Sequence, residues 1–582
     1  MTQARVQRVI AARLPGPDSV GWALTGSTLG VALFYGILAW FVVVGGLHAE
    51  PSTWPGYWSE GALKAIWLAD TASSQETLLP TELYARIFAP IGVSLVELAD
   101  GDWLPYRLAG YVVHGVGLEA GYALVVGFVL WTNALAARVL ARQVTPVHSV
   151  ATLCGALVLL QPLILGRLEL GDLPSAWIAM PALAVAGMLR VWSRGGGFTS
   201  IGAGMSMALC YAICWQSSLL VVSICVGIAL WPNRGIEWTS SVFYRLVTLF
   251  VAGVGLVFVH KAGLGLAVPA WVPGAPNLAG SGPEILLRFL AGPGFGYVLG
   301  GLFAWPPVES LGLLLFVGLG LARVRGSWPW WILFLLIVTA AAGPALETRH
   351  GLVPLPMTLL FGLFPPLVRV AEPARWLVMA LLPAVALASI GLTHLLERHG
   401  VRSRGRTGWV LVCTAVGIVV AIGAGKAPLP RLSLDLSTSE ASFTSLTVEQ
   451  DTVLYRVQGG AVVLPVRSST ASLAWQLAHP NVPVFSGPRR SWMFVAPQTW
   501  LSFAESNPFL MVMTGLTQET RPFTRTDIED LWQRGIGQIV VDRQVLVGED
   551  SDKLADALID EVGLAMGDPV YSDGSLTIFS VQ

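Results

Sequence analysis

Apolar runs of one helix length, separated by short polar stretches, fill the chain from about residue 27 to residue 424. A helix crossing about 30 Å of hydrocarbon needs about 20 mostly apolar residues. The runs predict eleven spans, at roughly 27–47, 118–141, 147–165, 173–192, 200–216, 217–232, 243–260, 308–324, 329–345, 374–396 and 408–424. Trp215, Gln216, Ser217 and Ser218 interrupt a run too long for one crossing, and a tight turn is expected there.

The polar connectors give the sidedness, because Lys and Arg are retained on the cytoplasmic side. Arg5, Arg8 and Arg13 precede the first span; Arg138 and Arg142, then Arg190 and Arg194, follow the second and fourth. Arg234, Arg323 with Arg325, and Arg398 with Arg402, Arg404 and Arg406 follow the sixth, eighth and tenth. Every second connector is basic. Residues 1–26 are therefore expected in the cytoplasm and everything after Gly425 outside, in a bacterial inner membrane whose first span acts as a signal anchor.

Three outer segments, 48–117, 261–307 and 346–373, exceed what a simple connection needs. The first is rich in Trp and Tyr, and EGALKAIWLAD (60–70) has apolar positions at helical spacing, predicting a helix lying on the outer surface. The tail, 425–582, reads as a separate soluble α/β domain. AVVLPV (461–466) and QIVV (538–541) predict strands; TRTDIEDLWQRG (524–535) predicts a helix with a Thr526/Glu529 capping box. DSDKLADALIDEVG (550–563) predicts a second helix, and VYSDGSLTIFSV a hairpin across Asp573-Gly574. The tail's eighteen acidic residues against eleven basic ones suit a solvated outer face.

Composition agrees with this reading: 54% of the 582 residues are hydrophobic and 12% charged, too greasy for a soluble globular protein. Net charge is −1, and no nucleic-acid partner is expected. The five cysteines all fall in apolar runs and read as small core residues, without a disulfide framework. Walker loops, zinc spacings, G-x-S-x-G elbows and Rossmann fingerprints are absent from the sequence.

The order of parts resembles the GT-C superfamily of polyprenyl-phosphate-sugar-dependent glycosyltransferases. YARIFAPIGVSL (84–95) is similar to a first-loop "F-x-P-x-G-x-x-L" segment, and GRLELGDLPSAWIAMPALAVAG (166–187) to the start of a fourth span, with Arg167 where His is usual. LFPPLVRVAEPARWLVMALLPAVAL (363–387) is similar to a "P…R-x-P-x-R-F" entry to a late span, and LWQRGIGQIVVD (531–542) to a tail segment. The resemblance implies a polytopic α-helical membrane domain (27–424) carrying an extracytoplasmic α/β domain. It implies transfer of a sugar from a polyprenyl-phosphate donor to a glycan, lipid or protein acceptor on the outer face. Such a transfer needs a carboxylate to take the acceptor's proton and cations to steady the departing phosphate.

The family's first-loop Asp has no counterpart in HAEPSTWPGYWSE (48–60); Glu60 and Glu50 are the carboxylates at hand, with Glu60 the better match. Arg369 and Arg375, at the outer end of the tenth span, are candidates for the donor phosphate, being suited to bidentate binding. Glu169 and Asp172 are candidates for holding Mg²⁺ or Mn²⁺ or a sugar hydroxyl, although Asp172 also reads as a helix N-cap before Pro174. Arg349 and His350 are weaker candidates beside Arg369 and Arg375; Asp100 and Asp102 read as a D-G-D turn, and His48 and His114 as hydrogen-bonded bystanders. A transporter or flippase would place ionisable residues within the spans, which are nearly free of them. A degenerate scaffold of the same architecture would need no acid at all.

Overall fold

The computed structural model describes residues 27–44, 54–55, 60–73, 83–84, 93–94, 102–230, 238–259, 327–341, 345–348, 351–354, 373–398, 431–432, 463–465, 502, 506–507, 524–533, 538–542, 551–572 and 576–580. The chain forms two compact units: residues 1–57, 101–266 and 271–431 make one, and 58–100, 267–270 and 432–582 the other. The middle of the first long loop thus clusters with the tail. Glu50, Arg369, Arg349, His350 and the spans expected at 308–324 and 408–424 lie outside the described residues.

The first unit is helical. Its elements are α1 (Ser27–Val44), α3 (Leu104–Val116), α4 (Leu118–Val144), α5 (His148–Leu159), α6 (Pro162–Glu169), α7 (Leu173–Ala176) and α8 (Ala179–Arg194). There follow α9 (Gly197–Ile213), α10 (Trp215–Leu230), α11 (Trp238–Val259), α12 (Trp328–Ala341), a 3-10 helix (Pro373–Ala380) and α13 (Leu381–Arg398). Nine of the eleven expected spans therefore fall on described helices. Among the described residues, five stretches are long and apolar enough to cross a membrane: Ala120–Val144, His148–Glu169, Leu173–Arg194, Val242–Val259 and Arg375–Glu397. Leu29, Leu33, Ile37 and Trp40 on α1, and Phe243, Leu246, Phe250 and Val254 on α11, are exposed at helical spacing. That is the stripe a helix presents to lipid.

Lipid is as apolar as leucine, so helices in it associate through close packing and buried hydrogen bonds. A Cβ on Gly204 of α9 would come within 2.7 Å of the Thr248 carbonyl oxygen of α11, an approach that only glycine permits. The Tyr35 hydroxyl of α1 donates to the Thr152 carbonyl of α5 at 2.7 Å, and the Trp131 indole of α4 donates to the Ala32 carbonyl of α1 at 2.8 Å. Thr145, at the end of α4, meets Thr393 of α13 through their hydroxyls at 2.6 Å.

Three of the breaks between helices of this bundle have a clear local cause or bear on the expected spans. Gln161, extended ahead of Pro162, ends α5 and starts α6, as the residue before a proline is pushed out of helical geometry. Gly171, at φ 74°, lets Asp172 N–H return to the Arg167 carbonyl at 2.9 Å, so the third and fourth spans join through a three-residue turn. Cys214, extended at φ −151°, separates α9 from α10. The separation expected at 216/217 is real but falls two residues earlier. Trp215, Gln216, Ser217 and Ser218, expected in the turn, form the first turn of α10 and are buried, at 6%, 1%, 1% and 2% exposure. They are polar because they face protein.

In the second unit, α2 (Glu60–Ser73) is the helix expected at 60–70. Ala62, Ala65, Ile66, Trp67, Leu68, Ala69 and Ala72 are all buried. The helix is packed against protein along its apolar positions. The ends of YARIFAPIGVSL close as an antiparallel pair, β1 (Leu83–Tyr84) with β2 (Val93–Ser94). In the first unit, β3 (Ala345–Thr348) and β4 (Gly351–Pro354) likewise pair antiparallel, within the third long loop.

The tail holds β5 (Val463–Pro465), α14 (Arg525–Gln533), β6 (Gln538–Asp542), α15 (Ser551–Met566), β7 (Tyr571–Ser572) and β8 (Leu576–Ser580). Its mixed sheet has the order β5-β6-β8-β7, with β5 parallel to β6 and β8 antiparallel to both neighbours. The hairpin across Asp573-Gly574 has the expected strands. The capping box is displaced: Thr524 N–H donates to Asp527 Oδ2 at 3.0 Å and Asp527 N–H to Thr524 Oγ1 at 3.4 Å, so Thr524 and Asp527 cap α14 in place of Thr526 and Glu529.

Candidate functional site

Helix ends at three places in the first unit bring four charged residues together. Asp102 stands just before α3, Arg167 on the last turn of α6, Asp172 ahead of α7, and Arg375 near the start of the 3-10 helix. Arg375 Nε lies 3.2 Å from Asp172 Oδ2, and Arg375 Nη1 lies 3.6 Å from Asp102 Oδ2. Arg167 Nη1 reaches the same Asp172 oxygen at 3.2 Å. All four side chains are nearly removed from solvent: Asp102 is 1% exposed, Arg167 6%, Asp172 9% and Arg375 12%.

Two paired charges on each side make the network neutral, which is the condition for holding ions in so dry a place. Asp102 is positioned from a distant part of the chain, accepting from the Trp215 N–H at 2.9 Å on Oδ1, at the Cys214 break. The adjoining Gln216 carbonyl accepts from the Trp376 indole at 2.9 Å, which ties α10 to the helix that carries Arg375. Asp172 caps α7 as expected, its Oδ1 accepting from Ser175 N–H at 3.3 Å. Tyr106 donates to the Gly171 carbonyl at 3.3 Å and braces the turn between Arg167 and Asp172.

The two carboxylates differ in proton affinity. Burial raises Asp102 to about 7, with the Asp172 charge adding to it and Arg375 and the Trp215 amide opposing. Burial also works to raise Asp172, but Arg375, Arg167 and the Ser175 hydrogen bond outweigh it and leave that carboxyl below its ordinary value. Burial thus holds the Asp102 carboxyl up while the two arginines hold the Asp172 carboxyl down.

Of the residues singled out from the sequence, Asp172 and Arg375 are brought together here, and Glu169 is buried on α6 close by in sequence. Glu60 opens α2 in the second unit. Asp102, read from the sequence only as part of a D-G-D turn, is buried and ion-paired, and Arg167 is a direct ion-pair partner of Asp172. The signal for Asp102 was an acid two residues ahead of the Leu-Pro start of a helix, in a chain that spends few charges; its partner, the Trp215 amide, lies 113 residues away. Among the described residues, no group of three His, Cys, Asp or Glu side chains is placed to hold a metal ion. A guanidinium, Arg375, occupies the position between the two aspartates.

No protein-family model and no curated relative matches the chain. Solved structures do. Arabinofuranosyltransferase AftD from mycobacteria aligns over 95% of this chain with a TM-score of 0.56 and 13% identity; the chain spans 39% of AftD. The Archaeoglobus fulgidus oligosaccharyltransferase, tethered to an acceptor peptide, aligns over 94% of this chain and 72% of its own, with a TM-score of 0.43 and 11% identity. ArnT from Cupriavidus metallidurans, bound to undecaprenyl phosphate, aligns over 96% and 99%, with a TM-score of 0.40 and 13% identity. The AftD match carries the assignment of fold. The chain shares its fold with the part of AftD that it aligns to.

Proposed function

We propose that the chain is an integral membrane glycosyltransferase that moves a sugar from a polyprenyl-phosphate donor to a glycan, lipid or protein acceptor on the outer face of the membrane. The observation that carries this reading is the buried Asp102–Arg375–Asp172–Arg167 network, set where several helix ends of a GT-C fold meet.

In the proposed reaction an acceptor oxygen attacks the anomeric carbon. A glycosidic C–O bond forms as the bond from that carbon to the phosphate oxygen breaks, and the acceptor's proton passes to Asp102. The leaving polyprenyl phosphate keeps the electron pair, and Arg375, with Arg369, meets its charge. Arg167 has a separate role: it keeps Asp172 neutralised when Arg375 turns toward phosphate. Glu60 and Glu50 are the competing choice of base, favoured by their place in the first outer loop. Glu169 is assigned to a sugar hydroxyl, and no step requires the divalent cation.

Binding of decaprenyl phosphate to the full chain in nanodiscs tests the reading. Wild type should bind, and Arg375→Met should weaken binding about ten-fold or more, as the loss of a charge-assisted contact does. Absence of binding to wild type, or equal binding to the variant, would reject the phosphate site.

A further inference from the structure

Around the ion network stand buried polar atoms that the protein leaves unsatisfied. The Trp103 indole N–H, next to Asp102, has no hydrogen-bond partner and its residue is 3% exposed. The Tyr122 hydroxyl has none either, on a residue that is 0% exposed and within electrostatic reach of Asp172. Gln216 Oε1 is the third, on a residue 1% exposed whose backbone holds the Trp376 indole. These are a donor, a group that both donates and accepts, and an acceptor. Trp215, Trp376 and Tyr106, which hydrogen-bond to Asp102, the Gln216 carbonyl and the Gly171 carbonyl, are buried as well.

A buried polar atom without a partner is a standing cost, and replacement by an apolar group of the same shape is neutral or favourable to stability. Asn133, Arg138, Gln161 and Arg245 carry such atoms elsewhere in the bundle, whereas Trp103 adjoins Asp102 in sequence, Tyr122 is within electrostatic reach of Asp172, and Gln216 adjoins the Trp215 amide that holds Asp102. Neutral donors and acceptors set among aromatic faces suit a ring bearing hydroxyl groups; they do not suit a phosphate, which the arginines serve.

We infer that Trp103, Tyr122 and Gln216 form a specificity-determining subsite for the hydroxyl groups of a neutral sugar, held against the Trp215 and Trp376 side of the ion network. This rests on the glycosyltransferase reading and adds to it the residues that read the sugar rather than its phosphate. The unsatisfied atoms are satisfied only when the sugar is bound.

Two variants, Gln216→Leu and Tyr122→Phe, remove an unsatisfied atom with little change of shape. Thermal melting of the apo chain in detergent should show a Tm equal to or above that of wild type for both. Binding is read with bare decaprenyl phosphate and with decaprenyl phosphate carrying arabinofuranose, mannose or glucose. At least one sugar-bearing lipid should bind wild type about ten-fold tighter than bare lipid, and that gain should fall to about two-fold in each variant. Bare lipid should bind all three proteins alike. A lowered Tm in both variants would show that their polar atoms are satisfied by water as structural groups, and would overturn the inference. So would a panel in which no sugar improves on bare lipid, or a gain that survives both substitutions. Failure of wild type to bind bare decaprenyl phosphate would instead reject the phosphate reading itself.

Discussion

Arg375 joins two aspartates that have unequal support, and this makes its removal informative. Asp172 keeps Arg167 at 3.2 Å when Arg375 is gone, whereas Asp102 loses the guanidinium at 3.6 Å and keeps the hydrogen bonds from the Trp215 amide and the Cys214 side chain. The gross attraction at 3.6 Å is about 5 kcal/mol at an effective dielectric near 20. Breaking a buried pair by removing one partner costs about 3–5 kcal/mol, since the remaining charge is stranded. At about 2 °C per kcal/mol, Arg375→Met should lower the Tm on the order of 5–10 °C. Asp102, already raised to about 7 by burial, should rise further and hold its proton at neutral pH. Neutralising it in advance should then restore stability: Asp102→Asn in the Arg375→Met background should recover about 1–3 kcal/mol, the coupling expected of contacting residues. Arg167→Met, which leaves Asp172 with Arg375, should cost less than Arg375→Met. The assay is thermal unfolding of the four purified proteins in one detergent. A double variant no more stable than Arg375→Met alone would show that the two side chains are not energetically coupled, and the network would lose its meaning.

The same geometry sets a pH dependence and several local stabilities. The folded pKa of Asp102 lies above the unfolded carboxyl value of about 3.9, so its contribution to stability is fully present below about pH 4 and is lost as pH rises through about 7; Tm should fall between pH 6 and 8 in wild type and flatten in Asp102→Asn. Asp172 is depressed and acts oppositely, contributing above about pH 4 and losing that contribution only in stronger acid. Sugar transfer, measured as release of decaprenyl phosphate, should rise with pH through about 7 as Asp102 ionises and fall at least 100-fold in Asp102→Asn; a full loss in Glu60→Gln with Asp102→Asn active would move the base to the first loop. In the tail, Thr524→Ala should cost about 1 kcal/mol of local stability by hydrogen exchange in α14 and Thr526→Ala close to nothing, because the cap lies at Thr524. Gly155→Ala would drive a methyl group into the Tyr35 hydroxyl and to 2.6 Å from the Ala134 carbonyl, and should destabilise the bundle by about 1–3 kcal/mol in thermal unfolding.

Much of the helical unit was legible from apolar run length alone, because hydrocarbon thickness dictates how many residues a crossing takes. Turn chemistry was legible where it is local: Asp172 caps the helix that starts at Leu173, with Pro174 in its first turn, and Gly171 supplies the left-handed residue before it. What stayed hidden was pairing over distance. Asp102 takes its meaning from Trp215 and Arg375, and no local pattern around D-G-D announces either partner. The Trp215–Ser218 quartet was misread for a related reason: polarity in an apolar run signals an exit from the membrane or a buried site with equal force, and only the packing of α10 decides between them. The Thr524/Asp527 cap was missed because two boxes overlap in TRTDIED, and the register of the first turn selects one.

On the proposed reading, the network around Arg375 handles a lipid-linked phosphate and its sugar. A cryo-EM structure of the chain in nanodiscs with decaprenyl phosphate tests it most directly. The account predicts phosphate oxygens within hydrogen-bond distance of the Arg375 guanidinium, with Asp172 retained by Arg167 and Asp102 facing the position of the anomeric carbon. Density for the phosphate elsewhere, with Arg375 still bridging Asp102 and Asp172, would contradict it.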